Sequence, residues 1–487
     1  MSSTTDIAFR SAVELRGALR RREISSLELL DHYLERIEKL NPAVNAVVTT
    51  DPARAREQAR AADAATARGE ELGPLHGLPM TVKDTIETAG LTTTAGAPEL
   101  ADHVPARDAD SVARLRAAGA IVFGKTNVPT YARDLQTHNP VFGTTRNPWN
   151  PDRAVGGSSG GGAAALAAGL TGFETGSDLA GSLRNPAHNC GVHALRPSFG
   201  VVPTRGHIPR APGWLTSSDM CVIGPLGRSA QDLDLGLDVL AGPAAAQATG
   251  WRLELPGPRA HSLDGYRVGV WLDDPYCPVD STVADLLTAA VDAIRAAGAR
   301  TDEESRPVAL DESDRLFQRL LLATTSAAMS DADFERLCTM AGELPADADS
   351  PFAAFLRNST QRARDWTHAQ EEREQVRVRW ADYFRDHDVL LCPVAPTAAI
   401  PHDHNPDPNA RRLTVNGQDR PYWDQGTWSG PAALAHLPAA VVPVGLTPDG
   451  LPVGIQIIGP HLEDRTVTDV AAHLDRLLGG FRIPPQS

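Results

Sequence analysis

Short apolar runs bounded by glycine or proline recur along this chain and alternate with stretches of helical periodicity. Runs of this kind are typical of strands buried on both faces of a sheet, and they occupy residues 78–82, 120–123, 389–394, 439–444 and 453–458. Helical patterns occupy residues 25–41, 52–69, 111–118 and 283–297. The alternation predicts an α/β fold in which a mixed, twisted β-sheet is covered by helices on both faces.

Turn and linker signals set the expected organisation of the chain. Asn41-Pro42 is expected to end the first long helix, and Thr447-Pro-Asp-Gly450 is expected to form a hairpin turn. No linker or internal repeat interrupts the sequence, so we expect a single domain over residues 1–487. Residues 330–430 are rich in Asp, Arg, Trp and Pro, and we expect an elaborated helical and loop region there.

The charge balance and the cysteines limit the setting in which the protein works. Lys and Arg number 46 against 61 Asp and Glu, a formal net charge of −15, which argues against nucleic-acid or anionic-membrane partners. Neither a secretory leader nor a run of about 18 apolar residues is evident. The five cysteines are dispersed without a Cys-x-x-Cys pair, so we expect a reduced, cytoplasmic protein.

Lysine is scarce, because only Lys39, Lys83 and Lys125 occur and all other cationic side chains are arginine. Arginine keeps its charge in proteins, whereas a buried lysine can become neutral and accept a proton. Lys39 lies in a polar helical stretch, but Lys83 and Lys125 lie in apolar segments. Lys83 and Lys125 are therefore the candidates for a role that arginine cannot fill.

Two loops of small residues lie close together in the sequence. They are Gly156-Gly-Ser-Ser-Gly-Gly-Gly162 and Gly176-Ser-Asp-Leu-Ala-Gly-Ser-Leu-Arg-Asn-Pro186. Glycine-rich turns that lead into helices direct free backbone N–H groups at one point, where they can stabilise an oxyanion. Ser158 also fits the short pattern G-x-S-x-G of a nucleophile elbow. The alternative is an ordinary flexible surface loop.

The combination of Lys83, the Gly156–Gly160 loop and Ser182-Leu-Arg184-Asn-Pro-Ala187 resembles the amidase signature family. The resemblance covers nearly the whole chain and includes Cys190-Gly-Val-His-Ala-Leu-Arg-Pro197 and Gly450-Leu-Pro-Val-Gly-Ile-Gln456. It implies a catalytic core at about 70–230 and a variable substrate region at about 300–430. It also implies a Ser–cis-Ser–Lys triad that needs no metal and no cofactor.

Site residues are transferred from this resemblance position by position. Ser182 is expected to be the nucleophile, Ser158 the bridging serine after a cis peptide from Gly157, and Lys83 the base. The residues expected to contribute backbone N–H groups to the oxyanion hole are Leu179, Ala180, Gly181 and Ser182. The residues expected to support the site are Ser159, Asp178 and Arg184. The physics agrees, because a serine hydroxyl needs a base and lysine serves only where burial lowers its pKa.

Three departures from the family pattern leave the triad intact, and the first two concern the substrate. Ala180 stands where glycine is usual, Thr130-Tyr131 replaces a common Glu-Phe pair, and Arg196 replaces a lysine. The candidates for the substrate pocket are Tyr131, Leu135, Gln136, Trp366, Trp423 and Trp428. Lys125 is expected to cap backbone carbonyls. His402 and His404 lack an evident third ligand, so we expect solvent exposure rather than a metal site.

These observations predict a hydrolase that cleaves the C–N bond of a small-molecule amide through an acyl-enzyme. An aryl amide or a carbamate (urethane) is compatible, with ester cleavage as a side activity, and the protein is expected to be a monomer or homodimer. Three alternatives remain open: an A-type amidotransferase subunit that works with a partner, a Ser-Asp-His esterase with Ser158 as nucleophile, and a catalytically silent binding protein.

Overall fold

A computed structural model describes residues 6–70, 72–208 and 211–485. The strands in these residues are β1 (Val47–Thr50), β2 (Pro79–Lys83), β3 (Ile121–Thr126), β4 (His138–Asn139), β5 (Gly143–Thr144), β6 (Glu174–Asp178), β7 (His193–Arg196), β8 (Val222–Gly227), β9 (Arg267–Val270), β10 (Arg300–Asp302), β11 (Val389–Pro393), β12 (Arg412–Val415), β13 (Gln418–Pro421), β14 (Ala439–Leu446) and β15 (Pro452–Ile458). Residues 1–5, on which the expectation of no secretory leader partly rests, lie outside the described residues.

Helices connect these strands throughout the described chain. They are α1 (Ala12–Arg20), α2 (Ser26–Val44), α3 (Pro52–Arg68), α4 (Asp110–Ala117), α5 (Gly160–Ala167), α6 (Arg184–Cys190), α7 (Ala230–Leu240), α8 (Ser281–Ala296), α9 (Leu310–Ser326), α10 (Asp331–Gly342), α11 (Pro351–Ser359), α12 (Ala363–Asp386), α13 (Asp424–Thr427), α14 (Gly430–Leu434) and α15 (Asp464–Leu478). Within the described ranges, none of them is long and apolar enough to cross a membrane.

The centre of the fold is an 11-stranded sheet with the order β1-β3-β2-β6-β8-β7-β14-β15-β11-β9-β10. Strands β3, β2 and β6 run parallel to one another, whereas β8 pairs antiparallel with both β6 and β7. Strands β2, β6, β8 and β15 are buried along their whole length, as expected for strands covered on both faces. The predicted α/β class with a mixed sheet is confirmed.

The first small-residue loop feeds a helix that packs very close to the sheet. A Cβ atom added at Gly161 would lie 2.3 Å from the backbone N of Asn127, and one at Gly162 would lie 2.6 Å from Cγ of Glu174. Every residue of α5 is buried. The glycines therefore serve close packing of the helix against β3 and β6, and the flexible-loop alternative is wrong for this segment.

Element boundaries follow the sequence signals with one exception. The predicted hairpin is confirmed, because β14 and β15 pair antiparallel around residues 447–451 and Gly450 N–H donates to the Thr447 carbonyl at 2.8 Å. The expected helix end at Asn41-Pro42 is wrong. Helix α2 continues through Pro42 to Val44 and ends where Asn45 adopts a left-handed conformation. Pro42 has no N–H to donate to the carbonyl four residues earlier, and the helix continues for only two residues beyond it before Asn45 ends it.

Candidate active site

The site lies where two parallel strands end side by side. Strand β2 carries Lys83 as its last residue, and β6 ends with Ser177 and Asp178. Because parallel neighbours present their carboxyl ends at the same sheet edge, these side chains meet there. Ser158 comes to the same edge at the amino-terminal end of α5, after a cis peptide bond between Gly157 and Ser158.

A buried lysine contacts two serines at this edge. Lys83 Nζ lies 2.7 Å from Ser158 Oγ and 2.9 Å from Ser177 Oγ, with the Ser177 carbonyl oxygen at 3.4 Å. Lys83 is fully buried and Ser158 is 1% exposed, whereas Ser182 retains 8% exposure. Ser159 joins the two loops, since its N–H donates to the Ser182 carbonyl at 3.1 Å and its hydroxyl donates to the Ser177 carbonyl at 3.2 Å.

Burial lowers the pKa of Lys83 from its ordinary 10.5 to about 7, although Cys221, Asp178 and Glu174 oppose the shift electrostatically. Removal from water disfavours the charged ammonium more than these neighbours stabilise it. At neutral pH a large fraction of Lys83 is therefore an uncharged amine with a free lone pair. Such an amine can take a proton from a neighbouring hydroxyl.

The turn after β6 is held by a carboxylate that two arginines neutralise. Arg184 donates to both carboxylate oxygens of Asp178 at 2.9 Å, and Arg196 donates to Asp178 Oδ1 at 3.1 Å and to its carbonyl at 2.8 Å. All three side chains are buried. Burial alone would raise the pKa of Asp178, but the two guanidinium charges hold it well below its usual range. Asp178 is thus a permanent anion that fixes the turn.

One of the four N–H groups expected in the oxyanion hole is already engaged. The Gly181 N–H donates to Asp178 Oδ1 at 2.9 Å, so it holds the turn in place instead of pointing at a substrate. Asp178 does not engage the N–H groups of Leu179, Ala180 and Ser182. Gly181 is the turn residue that adopts a positive φ, +103°, whereas Ala180 does not. The departure from glycine at position 180 is therefore accommodated without left-handed strain.

Arg184 also connects the turn to the distal part of the chain. It donates to the Ser429 carbonyl at 2.8 Å and to Gln456 Oε1 at 2.6 Å, and Gln456 donates to the Trp428 carbonyl at 3.0 Å. Segments separated by more than 240 residues in sequence are thereby fixed around the same turn.

Comparisons with known proteins establish the family of this chain. The Amidase family model matches residues 28–468. The chain belongs to the amidase signature family. It is 34% identical over 486 residues to the A subunit of glutamyl-tRNA(Gln) amidotransferase from Roseiflexus sp. (strain RS-1), with 95% of each chain covered.

Solved amidase signature structures share the whole fold. A crystal structure of an amidase is 30% identical with a TM-score of 0.78, and the match covers 96% of this chain and 100% of the other. A bacterial aryl acylamidase of the amidase signature family is 26% identical with a TM-score of 0.80, and 96% of each chain is covered. The protein is thus an amidase signature enzyme, of a class that acts on the C–N bonds of amides.

The pocket candidates of this amidase signature chain divide into those near the turn and those away from it. A Cβ at Gly157 would meet the backbone of Leu135 and Gln136 within about 3 Å, so this segment lies against Gly157, the residue before Ser158. Leu135 also lies beside Gly426, which faces the Ala180 carbonyl. Gln136 is buried and exchanges hydrogen bonds with the backbone of Asp403 at 2.7 and 2.9 Å. Its amide is therefore engaged in holding the loop.

The aromatic candidates are less directly placed. Tyr131 is partly exposed, and its hydroxyl donates to Glu99 at 2.6 Å. Trp366 and Trp423 are each 38% exposed, and the Trp423 indole donates to Asn409 at 3.2 Å. The expectation that Trp428 lines the substrate pocket is corrected. Trp428 is 1% exposed, and its indole N–H donates to the Cys277 carbonyl at 3.0 Å. It therefore packs in the core instead of lining an open pocket.

Sequence reasoning missed two polar groups at the site. Ser177 contacts Lys83 directly, and its only sequence signal was its position beside Asp178. His207 Nε2 lies 2.8 Å from Ser177 Oγ, but its flanking residues gave no sign of this contact. Ser177 reaches Lys83 because β2 and β6 are neighbours in the sheet, and His207 reaches Ser177 because its segment docks beside the end of β2.

Two residues that the sequence singled out, Lys125 and His404, lie outside the site. The expectation that Lys125 caps carbonyls is confirmed, since its ammonium donates to the Ile86 carbonyl and to Thr88 Oγ1 at 3.0 Å. The His404 ring stacks on His138 at 4.2 Å between centroids. Within the described residues, no group of three or more His, Cys, Asp or Glu side chains is arranged to bind a metal ion.

Proposed function

We propose that this protein hydrolyses a small-molecule amide through an acyl-enzyme, with Ser182 as nucleophile, Ser158 as proton relay and Lys83 as base. The observation that carries the proposal is the 2.7 Å contact between Lys83 Nζ and Ser158 Oγ in a fully buried setting. Burial shifts the pKa of Lys83 to about 7, which suits a general base working near neutral pH.

Acylation combines a proton relay with the formation of one bond and the cleavage of another. The Ser182 hydroxyl passes its proton to Ser158 Oγ, and Ser158 passes its own proton to Lys83. The Ser182 oxygen attacks the amide carbon and forms a tetrahedral oxyanion. When the C–N bond breaks, the proton returns from Lys83 through Ser158 to the leaving nitrogen, so an amine departs and the acyl group stays on Ser182.

Deacylation reverses the proton path with water in place of the serine. A water molecule attacks the ester carbon while its proton moves through Ser158 to Lys83, and the proton then returns to Ser182 as the carboxylic acid leaves. The free N–H groups of Leu179, Ala180 and Ser182 are the candidates to stabilise the oxyanion in both steps. The Asp178–Arg184 pair keeps this turn rigid.

The substrate proposal remains an amide of small or medium size, with aryl amides and carbamates as the first classes to test. A carbamate presents the same carbonyl to the nucleophile, and so does an ester. Support for an aryl group comes from the similarity to a bacterial aryl acylamidase and from the exposed rings of Trp366 and Trp423. Trp428 no longer contributes to this argument because it is buried.

A component of an amidotransferase is the second candidate function, and the similarity to the A subunits of such enzymes favours it. In that case the isolated protein should release ammonia from glutamine poorly unless partner subunits are added, and it should not hydrolyse anilides. The Ser-Asp-His esterase alternative has little support. Ser158 is almost fully buried and contacts a lysine, and no histidine of the described chain forms a hydrogen bond with it.

The test is to label the purified protein with a fluorophosphonate, digest it and locate the modified serine by mass spectrometry. We expect label on Ser182, none after Ser182→Ala, and turnover of at least one anilide or carbamate by the unmodified protein. Label on Ser158 would refute the assigned nucleophile. Heat-denatured protein is the control, since only the folded site activates a serine.

A further inference from the structure

A line of polar groups continues beyond the base into the protein. Lys83 Nζ lies 2.9 Å from Ser177 Oγ, Ser177 Oγ lies 2.8 Å from His207 Nε2, and His207 Nδ1 lies 3.7 Å from Cys221 Sγ. All four side chains are buried. The mechanism proposed above uses only the first of them.

The backbone fixes the imidazole in this place. His207 forms an isolated β-bridge with Ile86, just beyond the end of β2, and the next residue, Ile208, donates its N–H to the Thr85 carbonyl at 2.8 Å. The segment that bears His207 is therefore docked onto the chain that leaves Lys83. The backbone of His207 cannot move away from Ser177 without breaking these contacts.

The number of hydrogens restricts how these groups can be arranged. The Ser177 hydroxyl has a single proton to donate, and a neutral lysine amine has two N–H bonds and one lone pair. The Ser177 carbonyl, 3.4 Å from Lys83 Nζ, can only accept. If the Ser177 hydroxyl donates to Lys83 Nζ, this hydrogen bond occupies the lone pair that must accept the Ser158 proton. If Ser177 instead donates to His207, both amine hydrogens point at Ser177 and the lone pair faces Ser158.

We propose that His207 is a positioning residue whose Nε2 accepts a hydrogen bond from the Ser177 hydroxyl and thereby directs the lone pair of Lys83 at Ser158. This inference rests on the proposed function, because it concerns the base of that mechanism. His207 must be neutral with its proton on Nδ1, from which it donates towards Cys221. Burial together with the nearby Lys83 lowers the pKa of His207 to about 3, which agrees with a neutral ring.

Several ionisable groups face this line and must be considered in any pH experiment. Lys83 faces Asp178, Glu174 and Cys221 as well as His207. Asp178 remains an anion paired with arginines, whereas burial raises the pKa of Glu174 to about 8. A change in the pH profile of a His207 variant is therefore attributed to His207 only after comparison with the pH profiles of Ser177 variants.

The direct test is ¹⁵N NMR of the full-length protein labelled in its histidine side chains. The resonances of His207 are assigned by their loss in His207→Gln. We expect Nδ1 to carry the proton and Nε2 to be unprotonated at pH 8. A proton on Nε2, or a doubly protonated ring, would overturn the inference without any assumption about how a variant folds.

The kinetic test compares the rate of fluorophosphonate labelling at Ser182 and kcat for an amide that the protein turns over. We expect His207→Leu to lower both by about tenfold or more, since general-base contributions are of order 10² to 10⁴, with little change in KM. In a Ser177→Ala background the same substitution should have less than about a twofold effect, because His207 acts only through Ser177. His207→Gln should recover most of the rate, since its amide oxygen can accept at the Nε2 position.

Each other outcome has a defined meaning. An unchanged rate in His207→Leu, or an undiminished loss in the Ser177→Ala background, would overturn the inference and leave the proposed function intact. Failure of the unmodified protein to label at Ser182 would overturn both. His193→Gln is the matched control, because it removes another buried imidazole, bonded to Asp475 at 2.9 Å, and should leave the labelling rate and kcat unchanged.

Discussion

Replacing Lys83 with methionine should abolish activity and yet make the protein more stable at low pH. The unfolded chain holds the lysine proton up to its ordinary pKa of 10.5, whereas the folded chain releases it near 7. Between these values the unfolded state binds more protons, so burial of Lys83 opposes folding. The penalty is complete below pH 7 and disappears above 10.5.

The magnitude follows from these two pKa values. At about 1.4 kcal/mol per pH unit, the penalty is about 5 kcal/mol at pH 6 and about 2 kcal/mol at pH 9. Methionine also forfeits the contacts with Ser158 and Ser177, worth about 1 kcal/mol each and independent of pH. The variant should therefore be about 3 kcal/mol more stable than the unmodified protein at pH 6 and nearly equal to it at pH 9.

The assay is urea unfolding of both proteins at pH 6 and pH 9, followed by tryptophan fluorescence. The control is Lys39→Met, which removes an exposed lysine from α2 and should change stability by less than about 0.5 kcal/mol at either pH. A stability difference for Lys83→Met that does not vary with pH would refute the reasoning, because it would mean that Lys83 titrates alike in both states.

The same titration should appear in the reaction rate of the unmodified protein. Only the neutral amine can accept a proton, so kcat/KM should rise with pH and level off above about 7. At pH 5 it should be about a hundredfold below the plateau.

Three further predictions concern the turn and the core. Gly181→Ala places a Cβ 2.7 Å from a serine hydroxyl at a φ of +103° and should lower kcat at least tenfold and stability by about 2 kcal/mol. The control is Gly200→Ala, at a φ of +89° but in open space, which should lower stability and leave kcat unchanged. An equal loss of kcat in the control would contradict the argument. Arg196→Met leaves Asp178 with one cation and should cost about 3 kcal/mol in urea unfolding, so an unchanged midpoint would show that the second arginine is dispensable. Trp428→Phe removes a buried hydrogen bond and should lower stability by about 1 kcal/mol without changing KM, whereas a large rise in KM would return this residue to the pocket.

Several properties of this protein are readable from the sequence because they depend on neighbouring residues. Apolar runs of strand length between helical stretches indicate the α/β class, since buried strands need apolar side chains on both faces. The scarcity of lysine selects Lys83 and Lys125, and the order of several motifs indicates the family. Ser158 and Ser182 follow from that resemblance and not from any property of the residues alone.

Tertiary structure alone decided which groups surround Lys83 and where Trp428 lies. Ser177 and His207 reach Lys83 because strands β2 and β6 end together and a later segment docks beside them. Trp428 packs edge-on against Trp271 in the core. Each of these contacts joins residues whose separation in sequence carries no periodic signal, so only the folded chain brings them into range of hydrogen bonds and packing.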